Sequence, residues 1–132
     1  MSPHSFSVVS DKLTLGQWGE QEAVRLLRKA GYRILELNVR TPVGEIDIVA
    51  RQGGVLVFVE VRTRRGADGI CRAMESVDAK KQGRLDRLAL WYLKERNLFG
   101  CRARFDVVAV CQDAQGPSAR LIRDAFHSAR GL

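Results

Sequence analysis

Val43 to Thr63 reads VGEIDIVARQGGVLVFVEVRT, and the fold turns on how this stretch pairs with itself. β-Branched and aromatic residues dominate both halves, and Gly53-Gly54 supplies a turn between them, so a β-hairpin is predicted. Glu45, Asp47, Glu60 and Arg62 interrupt two runs that are otherwise apolar enough for a sheet core. If Arg51 to Gly54 form a four-residue loop, Ala50 faces Val55, Asp47 faces Phe58 and Glu45 faces Glu60. Side chains alternate along a strand, and directly paired residues share a face. Glu45, Asp47, Glu60 and Arg62 then project to one side, with Ile46, Ile48, Val57, Val59 and Val61 on the other. Asp47 becomes the diagonal neighbour of Glu60, about 5–8 Å away. Two carboxylates that close repel unless a cation or a shared proton lies between them. The pattern points to a metal.

The rest of the chain sets bounds on that idea. Its 132 residues suit one domain with a substantial core. Residues 1–12 are polar and Ser-rich and are expected as a disordered leader, residues 13–127 as the single domain, and residues 128–132 as a tail. No run of about 18 apolar residues and no secretory signal pattern occurs, so the expected setting is cytoplasmic, with no membrane contact. Cys71, Cys101 and Cys111 are odd in number and widely spaced, which argues against a disulfide framework or a zinc ribbon. His4 and His127 lie near opposite ends and make a poor basis for a metal site. A net charge of +7, carried mostly by arginine, favours an anionic partner. Nucleic acid fits best, although a merely soluble basic surface has the same composition.

Thr14 to Ala30 has helical periodicity, and Gly31-Tyr32 ends it. Ala23, Val24, Leu27 and Ala30 form the apolar stripe, with Glu20 in its midst and Trp18 on the opposite side with Arg25. Glu20 is either a buried acid requiring a partner or a solvated charge at the helix's first turn. Gly16 and Gly19 permit close backbone approach. Arg33 to Arg40 reads as a strand with Ile34, Glu36 and Asn38 on one side and Leu35, Leu37 and Val39 on the other. Residues 64–76 read as a long loop, in which Arg64, Arg65 and Arg72 either reach a phosphate backbone or are simply solvated. A second helix starts near Asp78, its cap, and runs to about Arg96. Its inward stripe begins with Lys81 and continues through Leu85, Leu88 and Tyr92. Arg104 to Val110 and Ala119 to Phe126 are predicted strands, and Asp106 is expected to pair with an arginine. The order helix-strand-strand-strand-helix-strand-strand defines an α/β domain with a central mixed sheet. The helical crossover suggests a parallel pair.

These residues resemble the YraN family of small bacterial proteins. The resemblance rests on Gly16-x-x-Gly19-Glu20, Asn38-x-Arg40, Gly44-Glu45-Ile46-Asp47-Ile48-Val49-Ala50, Phe58-Val59-Glu60-Val61-Arg62, Lys81-Gln82 and Arg104-Phe105-Asp106. It spans nearly everything from Leu15 to Phe126. It implies a restriction-endonuclease-like three-layer domain with a PD-(D/E)xK site, similar in layout to archaeal Holliday-junction resolvases. Asp47 then matches the motif's metal-binding Asp, Glu60 its second acid and Glu20 the first-helix Glu. Mg²⁺ or Mn²⁺ is the implied cofactor. Where the motif and most of the family have lysine, this chain has Arg62. Lysine can lose a proton and help activate water, whereas arginine keeps its proton.

The resulting expectation is a nucleic-acid-binding protein, DNA being the favoured partner, that acts as a divalent-metal-dependent endonuclease or junction-resolving phosphodiesterase. Asp47, Glu60, Arg62 and Lys81 would carry the chemistry, with Glu20, Asp47 and Glu60 as ligands and Glu45 and Gln82 behind them. Arg40, Arg64, Arg65, Arg72, Lys80 and Arg84 would track the backbone. The alternatives are a binding module that has lost the chemistry, and a protein-interaction component of a larger assembly. A homodimer would suit a junction binder.

Overall fold

A computed structural model describes residues 13–75 and 77–126. The expected leader and tail, and His127, lie outside them. Helix α1 (Leu15–Lys29) opens with a capping box: the Thr14 hydroxyl accepts the Gln17 N–H at 3.0 Å, and the Gln17 side chain accepts the Thr14 N–H at 2.9 Å. Gly31, at φ +90°, turns the chain into β1 (Arg33–Arg40). The hairpin follows as β2 (Glu45–Gln52) and β3 (Val55–Arg65). A short α2 (Gly69–Ala73) and a long α3 (Ala79–Glu95), capped by Asp78 on the Lys81 N–H, lead to β4 (Arg102–Asp113) and β5 (Gly116–Phe126).

The sheet order is β1-β2-β3-β4-β5. β3 and β4 run parallel, as the helical crossover requires, and every other pair is antiparallel. Two apolar clusters lie on opposite faces of this sheet. Ala23 and Leu27 of α1 pack with Ile48, Ala50, Val57, Val59, Val108 and Val110. Leu85, Leu88, Ala89, Tyr92 and Leu93 of α3 pack with Val49, Leu56, Phe58, Phe105 and Val107. The domain is therefore three-layered, with its central strands buried on both sides.

Several local expectations change. Gln52 pairs with Val55, so the hairpin turn has two residues, with Gly53 at φ +58°, instead of four. The register moves by two, and an even shift keeps every β3 side chain on its predicted face. The alternation of β2 does break: Ile46 joins Val49 on the α3 side while Ile48 and Ala50 face α1. β1 breaks too, at a register shift between Ile34 and Glu36 and at Asn38, whose φ is +51°. Ile34 packs on the α1 side, whereas Glu36 accepts from the Tyr92 hydroxyl of α3 and, at 2.7 Å, from Arg96, which caps the end of that helix. Trp18 packs against the α1-side core rather than standing opposite it, and residues 64–76 contain α2. Glu20 lies beyond the first turn of α1, which contains no acid, so the helix-dipole reading of it fails.

Asp106, 1 % exposed, pairs with Arg104 at 3.0 Å as predicted. It also accepts from the Tyr32 hydroxyl at 2.6 Å and from the Asp124 N–H at 2.9 Å, where the β4–β5 register shifts. Removing one partner of a buried pair leaves the other charge uncompensated. Asp106→Ala should therefore lower the unfolding free energy by about 3–5 kcal/mol, measured by urea denaturation. A loss under about 1 kcal/mol would show that the network is not a structural anchor.

Candidate functional site

The β2–β3 ladder has its last pair at Ile48 and Val59. One step further the carboxylate of Asp47 substitutes for a strand acceptor: its Oδ2 takes the Val61 N–H at 2.8 Å. Asp47 thus sits, partly buried, in the gap where the two strands separate. Glu45 precedes it on the same strand. Glu20 arrives from α1, which lies close against β3 because Gly19 has no side chain. A Cβ there would stand 2.1 Å from Thr63 Oγ1, an impossible contact. Oxygen atoms of Glu20, Glu45 and Asp47 lie within 4.8 Å of one another.

Two features hold this arrangement. Asn38 donates its side-chain amide to Glu20 Oε1 at 2.7 Å and reaches Glu45 Oε1 at 3.4 Å. Its left-handed backbone, which asparagine tolerates better than most residues, turns the amide to that side of β1. From sequence, Asn38 falls on one side of the first strand and within a family motif, with no role assigned. The available signal was a strand-averse asparagine inside a predicted strand. On the far side, Glu60 lies 3.9 Å from the Lys81 ammonium at the start of α3.

The electrostatics follow from that geometry. Asp47 is pushed up to about 7, first by burial and then by the charges of Glu60, Glu20 and Glu45, with only the Val61 N–H acting in the opposite sense. No cationic side chain is among the causes, so the ionised site demands positive charge. Three carboxylates at this spacing offer hard oxygen donors of the kind that Mg²⁺ and Mn²⁺ prefer. The donor set fits such an ion.

The remaining predicted residues divide. Glu45, expected behind the ligands, belongs to the close oxygen group, while Glu60 stands outside it and pairs with Lys81. Gln82 turns away, donating to the Val77 carbonyl at 2.6 Å. Arg62 donates to the Glu75 carbonyl and lines a cleft with Lys80, Lys81, Arg84 and Arg87. Arg40, 3.9 Å from Glu45 Oε2, is exposed beside the acids. Arg64 and Arg72 bond to the carbonyls of Thr63 and Arg65 and so brace the segment around α2. Arg65 ends β3, with an exposed side chain.

Fold and site together define a three-layer α/β protein with an acidic site at the splayed end of a hairpin, flanked by a basic cleft. No helix among the described residues is long and apolar enough to cross a membrane. Residues 19–110 match the model of the uncharacterised protein family UPF0102, to which this chain belongs. A UPF0102 protein of Syntrophus aciditrophicus is 46% identical over 123 residues, 93% of this chain and 96% of its own length. One from Moorella thermoacetica is 53% identical over 113 residues, covering 84% and 93%, and one from Syntrophotalea carbinolica 53% over 100 residues, covering 75% and 80%.

Two outcomes test the geometry. Between the ordinary aspartate range and about pH 7, the folded chain holds a proton on Asp47 that the unfolded chain lacks. Stability from this group is therefore lost as pH rises through that window. Asp47→Asn removes the effect, so its stability relative to the unsubstituted protein should rise by a few kcal/mol from about pH 4.5 to about pH 8 in urea unfolding. A difference independent of pH would contradict the assignment. Gly19→Ala must push α1 from β3 and carry Glu20 with it, weakening Mn²⁺ binding about tenfold in calorimetry. Adding Thr63→Ala, which leaves only the 3.0 Å contact with the Thr63 Cβ position, should restore part of the loss. Unchanged Mn²⁺ affinity in Gly19→Ala would show that the close approach does not position the acid.

Proposed function

We propose that this protein binds nucleic acid through a nuclease-like domain of the restriction-endonuclease type and hydrolyses phosphodiester bonds with a divalent metal. The observation that carries the reading is the group of Glu20, Glu45 and Asp47, whose oxygens lie within 4.8 Å of one another beside a cation-lined cleft. These three residues would hold Mg²⁺ or Mn²⁺, which when bound supplies Lewis acidity to a phosphoryl oxygen and a lowered pKa to water. Asn38 fixes Glu20 and Glu45 before the substrate arrives, so little reorganisation accompanies the reaction. Water oxygen attacks phosphorus, the ester P–O bond breaks, the water proton passes to a carboxylate, and the departing ester oxygen takes a proton from solvent to leave as an alcohol. We assign that role to Glu60, which stands outside the close group and would be left unligated, as the carboxylate that takes the water proton. Arg62, being an arginine, takes no proton from water; together with Lys81 it neutralises charge that builds on the phosphoryl oxygens.

A second reading has its own support. The Arg62 guanidinium is engaged by the Glu75 carbonyl, which suits a nucleic-acid-binding module without chemistry. Labelled branched, single-stranded and double-stranded DNA incubated with Mn²⁺ separates the two. The catalytic reading expects cleavage that falls at least about 100-fold in Asp47→Ala, and faster cleavage in Arg62→Lys. Binding without cleavage by either the unsubstituted protein or Arg62→Lys would overturn catalysis and leave the module.

A further inference from the structure

Arg62, Lys80, Lys81, Arg84 and Arg87 line one cleft of about 340 Å³, with Asp78 as the single acid in its wall. Five cations along one cleft repel one another, with water screening the exposed ones, and an entering anion relieves that repulsion. Asp78 keeps its charge while its carboxylate caps α3 by accepting the Lys81 N–H at 2.9 Å, but one acid leaves the wall strongly positive. Glu60 offsets Lys81 alone, at 3.9 Å. Arg84 and Arg87 are exposed and have no carboxylate within ion-pair distance among the described residues. Arg62 adds an independent sign: its Nε is buried and has no hydrogen-bond partner among the described residues, although its Nη1 is satisfied by Glu75. A buried N–H left unmatched is destabilising, and an acceptor that reached it would remove that penalty.

The anion's chemistry follows from the donors. Three guanidinium groups offer planar forks matched to the tetrahedral oxygens of phosphate, and two ammonium groups add point charge. Glu60 pairs with Lys81 and also acts through its charge on Asp47, so the basic cleft adjoins the acidic site. We infer that the cleft is a phosphate-binding site whose outer cations, Lys80, Arg84 and Arg87, hold a backbone phosphate of the bound strand without a divalent ion, next to the phosphate that Arg62 and Lys81 would meet beside the carboxylates. Only the owner of that phosphate rests on the nucleic-acid reading; the site itself does not depend on catalysis or on metal.

The test uses the full chain in EDTA, with inorganic pyrophosphate as one probe and a labelled single-stranded oligonucleotide as the other. Arg84→Gln/Arg87→Gln removes two exposed cations of the cleft. Arg33→Gln/Arg120→Gln removes the same charge from exposed positions on β1 and β5. The cleft variant should lose at least about tenfold in affinity for both probes, and the control variant less than about threefold, since local contacts outweigh a screened distant field. Equal losses in the two variants would overturn the inference in favour of a diffuse basic surface. Failure of pyrophosphate to bind in EDTA would overturn it as well. Loss of pyrophosphate with unchanged oligonucleotide affinity would refute the strand phosphate as occupant. Absence of Mn²⁺-dependent cleavage leaves all these readouts intact, so failure of the catalytic reading is distinguishable from failure of this one.

Discussion

One hydrogen bond, from the Val61 N–H to the carboxylate of Asp47, sets the character of the site. It sits just past the last rung of the β2–β3 ladder, where continued pairing would have buried backbone against backbone. The carboxylate satisfies the strand's orphaned donor and lets the two strands part. The opening admits Glu20 from one helix and Glu45 from the strand end. It also fixes an ionisable group where its ionised form is disfavoured, and this is why Asp47 is displaced to about 7. The same contact therefore shapes the opening and creates its need for positive charge.

The device occurs twice in the sheet, with opposite electrostatics. Asp106 also accepts a neighbouring strand's N–H, from Asp124, at a break in register. Around Asp106 stand Arg104 and the Tyr32 hydroxyl, so its charge is answered within the protein. Around Asp47 stand three further carboxylates, Glu60, Glu20 and Glu45. A compensated buried carboxylate is structural. An uncompensated one, at the mouth of an opening and next to a cleft of arginines and lysines, calls for a cation and a polyanion together.

The sequence carried most of the element order, the mixed sheet, the parallel pair and the capping role of Asp78, because period and cap chemistry are local. The hairpin register was missed by two residues, since a four-residue loop and a Gly-Gly turn satisfy the same alternation; the even error left β3's faces unchanged. The strict alternation assumed for β1 and β2 failed where Asn38 adopts a positive φ and where Asp47 interrupts the ladder. Both are tertiary events without a periodic signature. Asn38 escaped notice as a site residue for that reason. Glu45 stands inside the close oxygen group and Glu60 outside it, beside Lys81, because the close group is set by the end of the β2–β3 ladder and not by strand alternation alone.

The central claim is that α1, β1, β2 and β3 converge on one cation. Amide NMR spectra titrated with Mn²⁺ test it most directly, since paramagnetic broadening falls off steeply with distance. The account predicts simultaneous broadening at Glu20, Asn38, Glu45, Asp47 and Val61, four elements apart in sequence, and its loss in Asp47→Asn. Broadening confined to other surface acids such as Glu95 and Asp113, or persisting undiminished in Asp47→Asn, would contradict it.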